Sequence, residues 1–527
     1  MVTGETASSA QERRATGPHA GKRLSPWRVM LGILIAAAAG VAIWFGFHTV
    51  TDRVVIDPNQ PWFAAYVDTT LTPAYAFESP ASAADEDVVL GFVVASEETT
   101  CEPSWGGAYT LDQAARDLDL DRRIARLRQQ GGDVVVSFGG RDNTELATAC
   151  PDAESLAAAY QAVIDRYDLT IIDLDIEGDA LQDTAVGARR AEALRILQSE
   201  RDADDPLTVW LTLPVTPSGL DATGEAAAVQ VIDAGVKLGG INAMTMDYGV
   251  DLEGRTMGDV AISAITGVRD QLVDILRDSD EPLSSAAAWA RIGATPMIGQ
   301  NDVVDEVFTM DDAAQLNQFA LDVGLGRVSM WSANRDRSCG DNYADVRIVS
   351  NYCSGVDQGQ ESFAVTLGDG LTDTGTAGSH TPVPLPSASA TDDPATSPYP
   401  IWNADTRYLA GSKIVWHGMV YEAKWWTRGD VPDDPMVSGA ESPWDLVGPV
   451  LPGETPYVVP TLPPGTYPDW SGDTVYREGD RVLYDGVPFE AKWWTQGDSP
   501  AAASDDPDGS PWIPLTAAQI EQIAGSG

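Results

Sequence analysis

Between residues 62 and 335, short β-rich runs alternate with segments of helical periodicity, and this rhythm limits the available folds more than any other feature. Strand-like runs fall at 62–68, 88–94, 133–139, 169–177, 207–213, 241–247, 291–298 and 327–331. Amphipathic stretches at 111–130, 153–167, 185–200, 257–277 and 311–323 lie between them. Eight strands alternating with helices over roughly 270 residues predict an α/β fold, a closed (β/α)8 barrel spanning 60–365. An open doubly wound sheet shares the alternation, but no G-x-G-x-x-G follows the first strand.

The strongest chemical signal is Asp173-Leu174-Asp175-Ile176-Glu177. Alternate residues of a strand share a face, so the three carboxyl groups point one way and Leu174 and Ile176 the other. Leu169, Ile171 and Ile172 read as a strand buried on both faces, which places the acids inside the barrel rather than on an exposed edge. Acids crowded in a desolvated interior repel one another, and such clusters concentrate at active sites. Glu177 is expected to stay protonated long enough to act as a general acid.

These acids coincide with the last three of D-x-x-D-x-D-x-E, the signature of the family 18 glycoside hydrolases, and the chain resembles that family over roughly residues 62–360. Ser137-Phe138-Gly139-Gly140 is similar to the family's S-x-G-G, and Met244-Thr245-Met246-Asp247 to its M-x-Y-D. Trp331 falls where the family places a tryptophan under the sugar. The resemblance implies retaining, substrate-assisted hydrolysis of N-acetylglucosamine polymers, chitin above all; no cofactor is expected, and scattered histidines with no C-x-x-C pair suggest no metal site. In that scheme Glu177 protonates the leaving oxygen and Asp175 orients the acetamido group that attacks the anomeric carbon. Asp173 sits behind, hydrogen-bonded to Ser137, while Asp247 and Met244 meet the sugar and Trp331 stacks on it. Two positions depart from the pattern: Thr170 replaces the first Asp, and Met246 replaces a tyrosine hydroxyl that Tyr248 or Tyr66 is expected to supply. Gln300, after strand seven, is a further expected sugar contact.

Composition shifts to Thr, Ser, Gly, Pro and Asp over 366–398, a linker-like segment. A duplication follows. Trp402 and Trp470, Glu422 and Glu490, and Ser442 and Ser510 are each 68 positions apart, within Tyr-Pro-x-Trp, Glu-Ala-Lys-Trp-Trp-Thr and Ser-Pro-Trp. The copies occupy 399–448 and 467–516, separated by a Pro-rich spacer at 449–466. Trp402, Tyr408, Tyr421 and Trp444 supply core material for the first copy. Strand alternation predicts that one of Trp425 and Trp426, and one of Trp493 and Trp494, is buried and the other exposed for binding. Both copies resemble the small chitin-binding modules of carbohydrate-binding families five and twelve.

Residues 29–47 carry no charged side chain and would span about 28 Å as a helix, close to a bilayer core. Arg13, Arg14, Lys22, Arg23 and Arg28 precede them, so 1–28 is expected to stay cytoplasmic and the remainder to lie outside, anchored in the cell membrane. Secretion after signal cleavage is the alternative. A net charge of −46 argues against nucleic acid as a partner, and no obligate protein partner is evident. Cys101, Cys150, Cys339 and Cys353 allow three pairings; Cys101–Cys150 and Cys339–Cys353 are preferred because each would staple loops at one end of the barrel. Two further functions compete with the enzyme: a non-catalytic chitin or cell-wall binding protein, and a related enzyme acting on peptidoglycan or N-glycans.

Overall fold

Runs such as Val134–Val136 and Ile171–Ile172 are β-branched and buried on both faces, as parallel strands covered by helices require. The computed structural model describes residues 61–202, 205–279, 283–340, 343, 345–371, 391–437, 440–456, 462–463, 465–484, 486–501, 509–515, 519–520 and 522–523. The expected membrane segment at 29–47 lies outside them. No helix among the described residues is long and apolar enough to cross a membrane.

Eight parallel strands form the catalytic-sized domain: β1 (Trp62–Phe63, resuming as Ala65–Asp68), β2 (Asp87–Ala95), β3 (Asp133–Gly139), β4 (Ile171–Asp175), β5 (Thr208–Pro214), β6 (Leu238–Met244), β7 (Ile292–Thr295) and β8 (Arg327–Val328). Closure is complete because β1 pairs on both sides, Trp62 with Arg327 and Ala65 with Val88. Intervening helices include α1 (Leu111–Asp117), α2 (Leu120–Gln129), α3 (Ala153–Tyr167), α4 (Thr184–Glu200), α5 (Ala222–Asp233), α6 (Met257–Asp278) and α7 (Met310–Val323). Side-chain oxygens of Thr110, Asp152, Asp183, Asp221, Thr256 and Thr309 cap their first turns. The stretch expected as one helix at 111–130 breaks at Leu118–Asp119, where Asp119 adopts a left-handed φ of 49°.

The core divides into two layers. Trp62, Tyr66, Val135, Ile171 and Trp210 fill the barrel interior, with Phe92 and Trp331 above them. Ile172, Leu174 and Ile176 join the larger core between strands and helices. Strand parity therefore turns Ile171, Asp173 and Asp175 inward. Strand six runs from Leu238 to Met244, three residues earlier than expected, which leaves Met246 and Asp247 on the loop above it. The barrel also outruns its expected limit: the helix Phe363–Gly368 crosses residue 365 and buries Leu367. Cys101–Cys150 and Cys339–Cys353 are the disulfides, as preferred.

Each C-terminal repeat is built on a three-stranded antiparallel sheet, β9 (Lys413–Trp416), β10 (Met419–Ala423) and β11 (Trp444–Pro449) in module 1, and β12 (Arg481–Tyr484), β13 (Val487–Ala491) and β14 (Trp512–Pro514) in module 2, where Val475–Tyr476 also pairs with Thr495–Gln496. Ala423 pairs with Trp444 as Ala491 pairs with Trp512. Tyr408, Tyr421 and Trp444 form the core of module 1, with Trp402 packed against it.

Candidate active site

At the C-terminal end of the strands a cleft of about 390 Å³ is lined by Tyr66, Phe92, Asp175, Glu177, Asp247 and Trp331, among others. This is the end at which (β/α)8 barrels carry their chemistry. The acid strand delivers its three carboxyl groups at successive depths. Asp173 is fully buried, and each oxygen accepts two hydrogen bonds. Tyr66 Oη (2.8 Å) and Ser137 Oγ (2.7 Å) donate to Oδ2; Thr212 Oγ1 (2.7 Å) and Arg327 Nη1 (2.6 Å) donate to Oδ1. Arg327 is itself fully buried, with its guanidinium 5.1, 5.4 and 5.7 Å from the ring centroids of Trp62, Tyr66 and Trp210.

One step higher, Asp175 is buried with Oδ1 lacking any hydrogen-bond partner. Burial, followed by the charges of Glu177 and Asp173, holds its carboxyl well above the usual range, against the pull of Arg327. Glu177 lies just past the strand, half-buried, at the N-terminus of the short helix Gly178–Gln182. Burial pushes it up to about 7, Arg141 opposes the shift, and Asp142 and Asp247 reinforce it.

Glycine explains how β3 fits against this strand. At Gly139 (φ 102°) a Cβ would lie 2.0 Å from the Asp175 carbonyl oxygen. Gly140 N–H donates to that same oxygen at 2.9 Å. Ser137-Phe138-Gly139-Gly140 therefore combines a hydroxyl for Asp173 with a close backbone approach to Asp175.

Asp247 has a left-handed φ of 48°; its Oδ1 accepts from Val303 N–H at 3.1 Å, and burial raises its carboxyl. Trp331 stacks on Phe92 at 5.5 Å and meets Tyr66 edge-on at 6.1 Å. Met244, Met246 and Met297 line the same cleft.

Three expectations need correction. Gln300 is buried away from the cleft, and its Nε2 donates to carbonyls of its own loop, those of Asn301 (3.0 Å) and Val304 (3.0 Å) included. Tyr248 packs against the core between strands and helices, with Oη unpartnered there. Tyr66 lines the cleft, but its hydroxyl donates to Asp173 and accepts from Arg327 at 2.9 Å, so it is already committed below the sugar level. Neither tyrosine takes the place of the hydroxyl lost at Met246.

Residues not singled out in the sequence also build the site: Thr212, Arg141, Phe92 and Arg327. Parity was the available signal for Arg327, since Arg327, Ser329 and Trp331 alternate on one face of strand eight.

In both modules the tryptophan pair is exposed throughout, at 45% and 39% for Trp425 and Trp426 and 44% and 62% for Trp493 and Trp494. The expected alternation fails because β10 and β13 end at Ala423 and Ala491, which places both pairs on a bend. The bend is braced identically. Thr427 Oγ1 donates to Asp430, and Trp444 Nε1 to the Asp430 carbonyl at 3.0 Å. Thr495 Oγ1 donates to Asp498 at 2.5 Å, and Trp512 Nε1 to the Asp498 carbonyl at 2.8 Å.

Residues 401–445 and 469–512 match the model of carbohydrate-binding module family 5/12. The probable bifunctional chitinase/lysozyme of Escherichia coli is 34% identical over 333 residues, covering 60% of this chain and 34% of that protein. Endochitinase 11 of Metarhizium anisopliae is 33% identical over 326 residues, covering 59% of this chain and 57% of that protein. The chain thus spans less than two thirds of either relative's length. The catalytic domain of a hyperthermophilic chitinase from Pyrococcus furiosus is 30% identical, with a TM-score of 0.50, over 58% of this chain and 93% of that domain. With the acid strand inside a closed barrel and the duplicated modules behind it, the chain belongs to the family 18 glycoside hydrolases and carries two modules of carbohydrate-binding family 5/12.

Proposed function

We propose that this protein hydrolyses β-1,4 linkages between N-acetylglucosamine units of chitin by a retaining, substrate-assisted mechanism, and that its two modules hold the polymer. The observation that carries the reading is Glu177: a half-buried carboxyl pushed up to about 7, in one cleft with Asp175, Asp247 and Trp331. Protonated near neutral pH, it serves as general acid on the glycosidic oxygen. The acetamido oxygen of the substrate attacks the anomeric carbon, so no enzyme carboxylate forms a covalent bond to the sugar. Asp175, with a free Oδ1 at the cleft floor, orients the acetamido N–H and balances charge as the ring forms. Asp173 positions Asp175 from below, Trp331 stacks on the pyranose face, and Asp247 supports the ring from the opposite side.

The test compares wild type with Glu177→Gln on colloidal chitin, peptidoglycan and a high-mannose glycan. Reducing-end release from chitin should fall by about 10²–10⁴-fold in the variant, with retention on chitin unchanged. Equal release by both proteins would exclude the assigned acid. Release by wild type from peptidoglycan alone would favour the second reading, to which the lysozyme half of the E. coli relative's name points. The same proposal places the domain outside the cell, tethered through residues 29–47. Recovery of the protein only from the medium, starting near residue 43, would remove the tether.

A further inference from the structure

Helix α2 carries an unusual load for the outer wall of a barrel. Asp119, in its left-handed break before α2, and Arg122, one turn on, are both buried, and module 1 is what covers them. Lys413 forms an ion pair with Asp119, and Tyr399 Oη lies 3.4 Å from the same carboxylate. Arg122 donates to the Pro449 carbonyl at 2.5 Å and grips Glu454 with two nitrogens, at 2.5 and 3.2 Å. Its guanidinium and the Lys413 ammonium both sit 5.7 Å from the Tyr399 ring. Backbone approach is equally tight: a Cβ on Gly448 would stand 2.7 Å from the Arg122 carbonyl oxygen and 3.2 Å from Arg126 Cβ.

Module 2 carries different residues at several of these positions. At the 68-residue offset, Gly448 corresponds to Thr516 and Glu454 to Gln522. A threonine at position 448 would put a β-branched side chain where the module 1 interface admits no Cβ. Lys413 corresponds to Arg481, which is committed within its own module to Glu490 at 2.8 Å and Tyr467 Oη at 3.1 Å. The two copies thus differ at Gly448 and Glu454, which touch the barrel, while Tyr399 recurs as Tyr467 and the exposed tryptophan pair is kept in both.

We infer that α2 is a dedicated docking surface for module 1, which rides on the barrel as one rigid body, while module 2, whose Trp512–Leu515 edge lines a cleft with module 1 and Arg116 but has no counterpart of the Gly448 and Glu454 contacts, swings on its spacer. The chain then offers the polymer one binding face in fixed register with the cleft and one that searches independently. Buried, bidentate ion pairs fix orientation well because a half-made contact leaves a charge unpaired. Docking stands whether or not the barrel hydrolyses sugar.

The test uses the full chain without substrate and measures distances between spin labels. Asp322→Cys on the barrel is paired either with Arg428→Cys in module 1 or with the equivalent Gln496→Cys in module 2; all three positions are exposed. A narrow distribution is expected for 322/428 and a broad one for 322/496. Gly448→Thr, which gives module 1 the residue of module 2, should broaden 322/428 to the width of 322/496. Because Gly448→Thr can also disturb module 1 itself, Lys413→Glu is run beside it. Lys413→Glu alone should broaden the distribution, and Asp119→Lys/Lys413→Glu should narrow it again. Equal widths for both modules in the unaltered chain, or a 322/428 distance unmoved by both Gly448→Thr and Lys413→Glu, would overturn the inference.

Discussion

Arg327 and Asp173 form an ion pair of 2.6 Å in which neither side chain reaches solvent. It is the keystone of the barrel floor: Arg327 also donates to Tyr66 and Ser329, and three aromatic rings surround its guanidinium. Removing one partner of such a pair strands a charge in a low-dielectric interior, whereas removing both does not. Arg327→Met should therefore destabilise the barrel by about 3–5 kcal/mol. Arg327→Met/Asp173→Leu should recover part of that loss, as read by denaturant unfolding.

The pH profile follows from Glu177. Its acid function needs the proton, so turnover should fall as pH rises through about 7. Arg141 favours the ionised form, and Arg141→Gln should move this alkaline limb to higher pH. Arg141 is largely exposed, so the displacement should shrink in high salt.

Stability should carry the same signature with a definite sign. The folded-state value of Glu177 lies above that of an unfolded chain, so its contribution is fully present below the unfolded value and is lost as pH rises through about 7. Glu177→Gln should thus be relatively more stable than wild type at pH 8 than at pH 4. Thermal unfolding at the two pH values checks this.

Gly139→Ala tests the approach of β3 to the acid strand. A Cβ there would collide with the Asp175 carbonyl at 2.0 Å, and the φ of 102° is one an alanine rarely adopts. Loss of at least about 1–3 kcal/mol of stability is expected, with activity falling further because Asp175 must shift. Unfolding and chitin turnover measured on one preparation separate the two effects.

Alanine at Trp425 and Trp426, or at Trp493 and Trp494, should each reduce retention on chitin by about 10²-fold or more, since linked modules multiply one another's hold. All four together should abolish module-dependent binding in a pull-down assay.

Much of this was legible in the sequence because parity is rigid: once the strand at 169–177 is recognised, Asp173 and Asp175 must share a face. The shift of strand six was not legible, for a definite reason. Glycine is depleted in strands, yet Gly239 and Gly240 both lie within β6, where a Cβ on Gly240 would stand 2.5 Å from the Trp210 ring. They are glycines because a tryptophan fills the barrel beside them. Local pattern cannot reveal a steric demand set by a residue thirty positions away. Arg327 escaped notice similarly, since a charge at a strand's start ordinarily marks solvent rather than a buried partner 154 residues earlier. The tryptophan pairs were misjudged because alternation holds only while the strand lasts.

The brace beneath each tryptophan pair begins and ends within its own repeat: threonine to aspartate, and aspartate back to the core indole. Nothing in that support is borrowed from the barrel. A gene that copied the repeat a third time would add another complete hold without redesigning the rest, so reach along a polymer can be lengthened by simple tandem duplication.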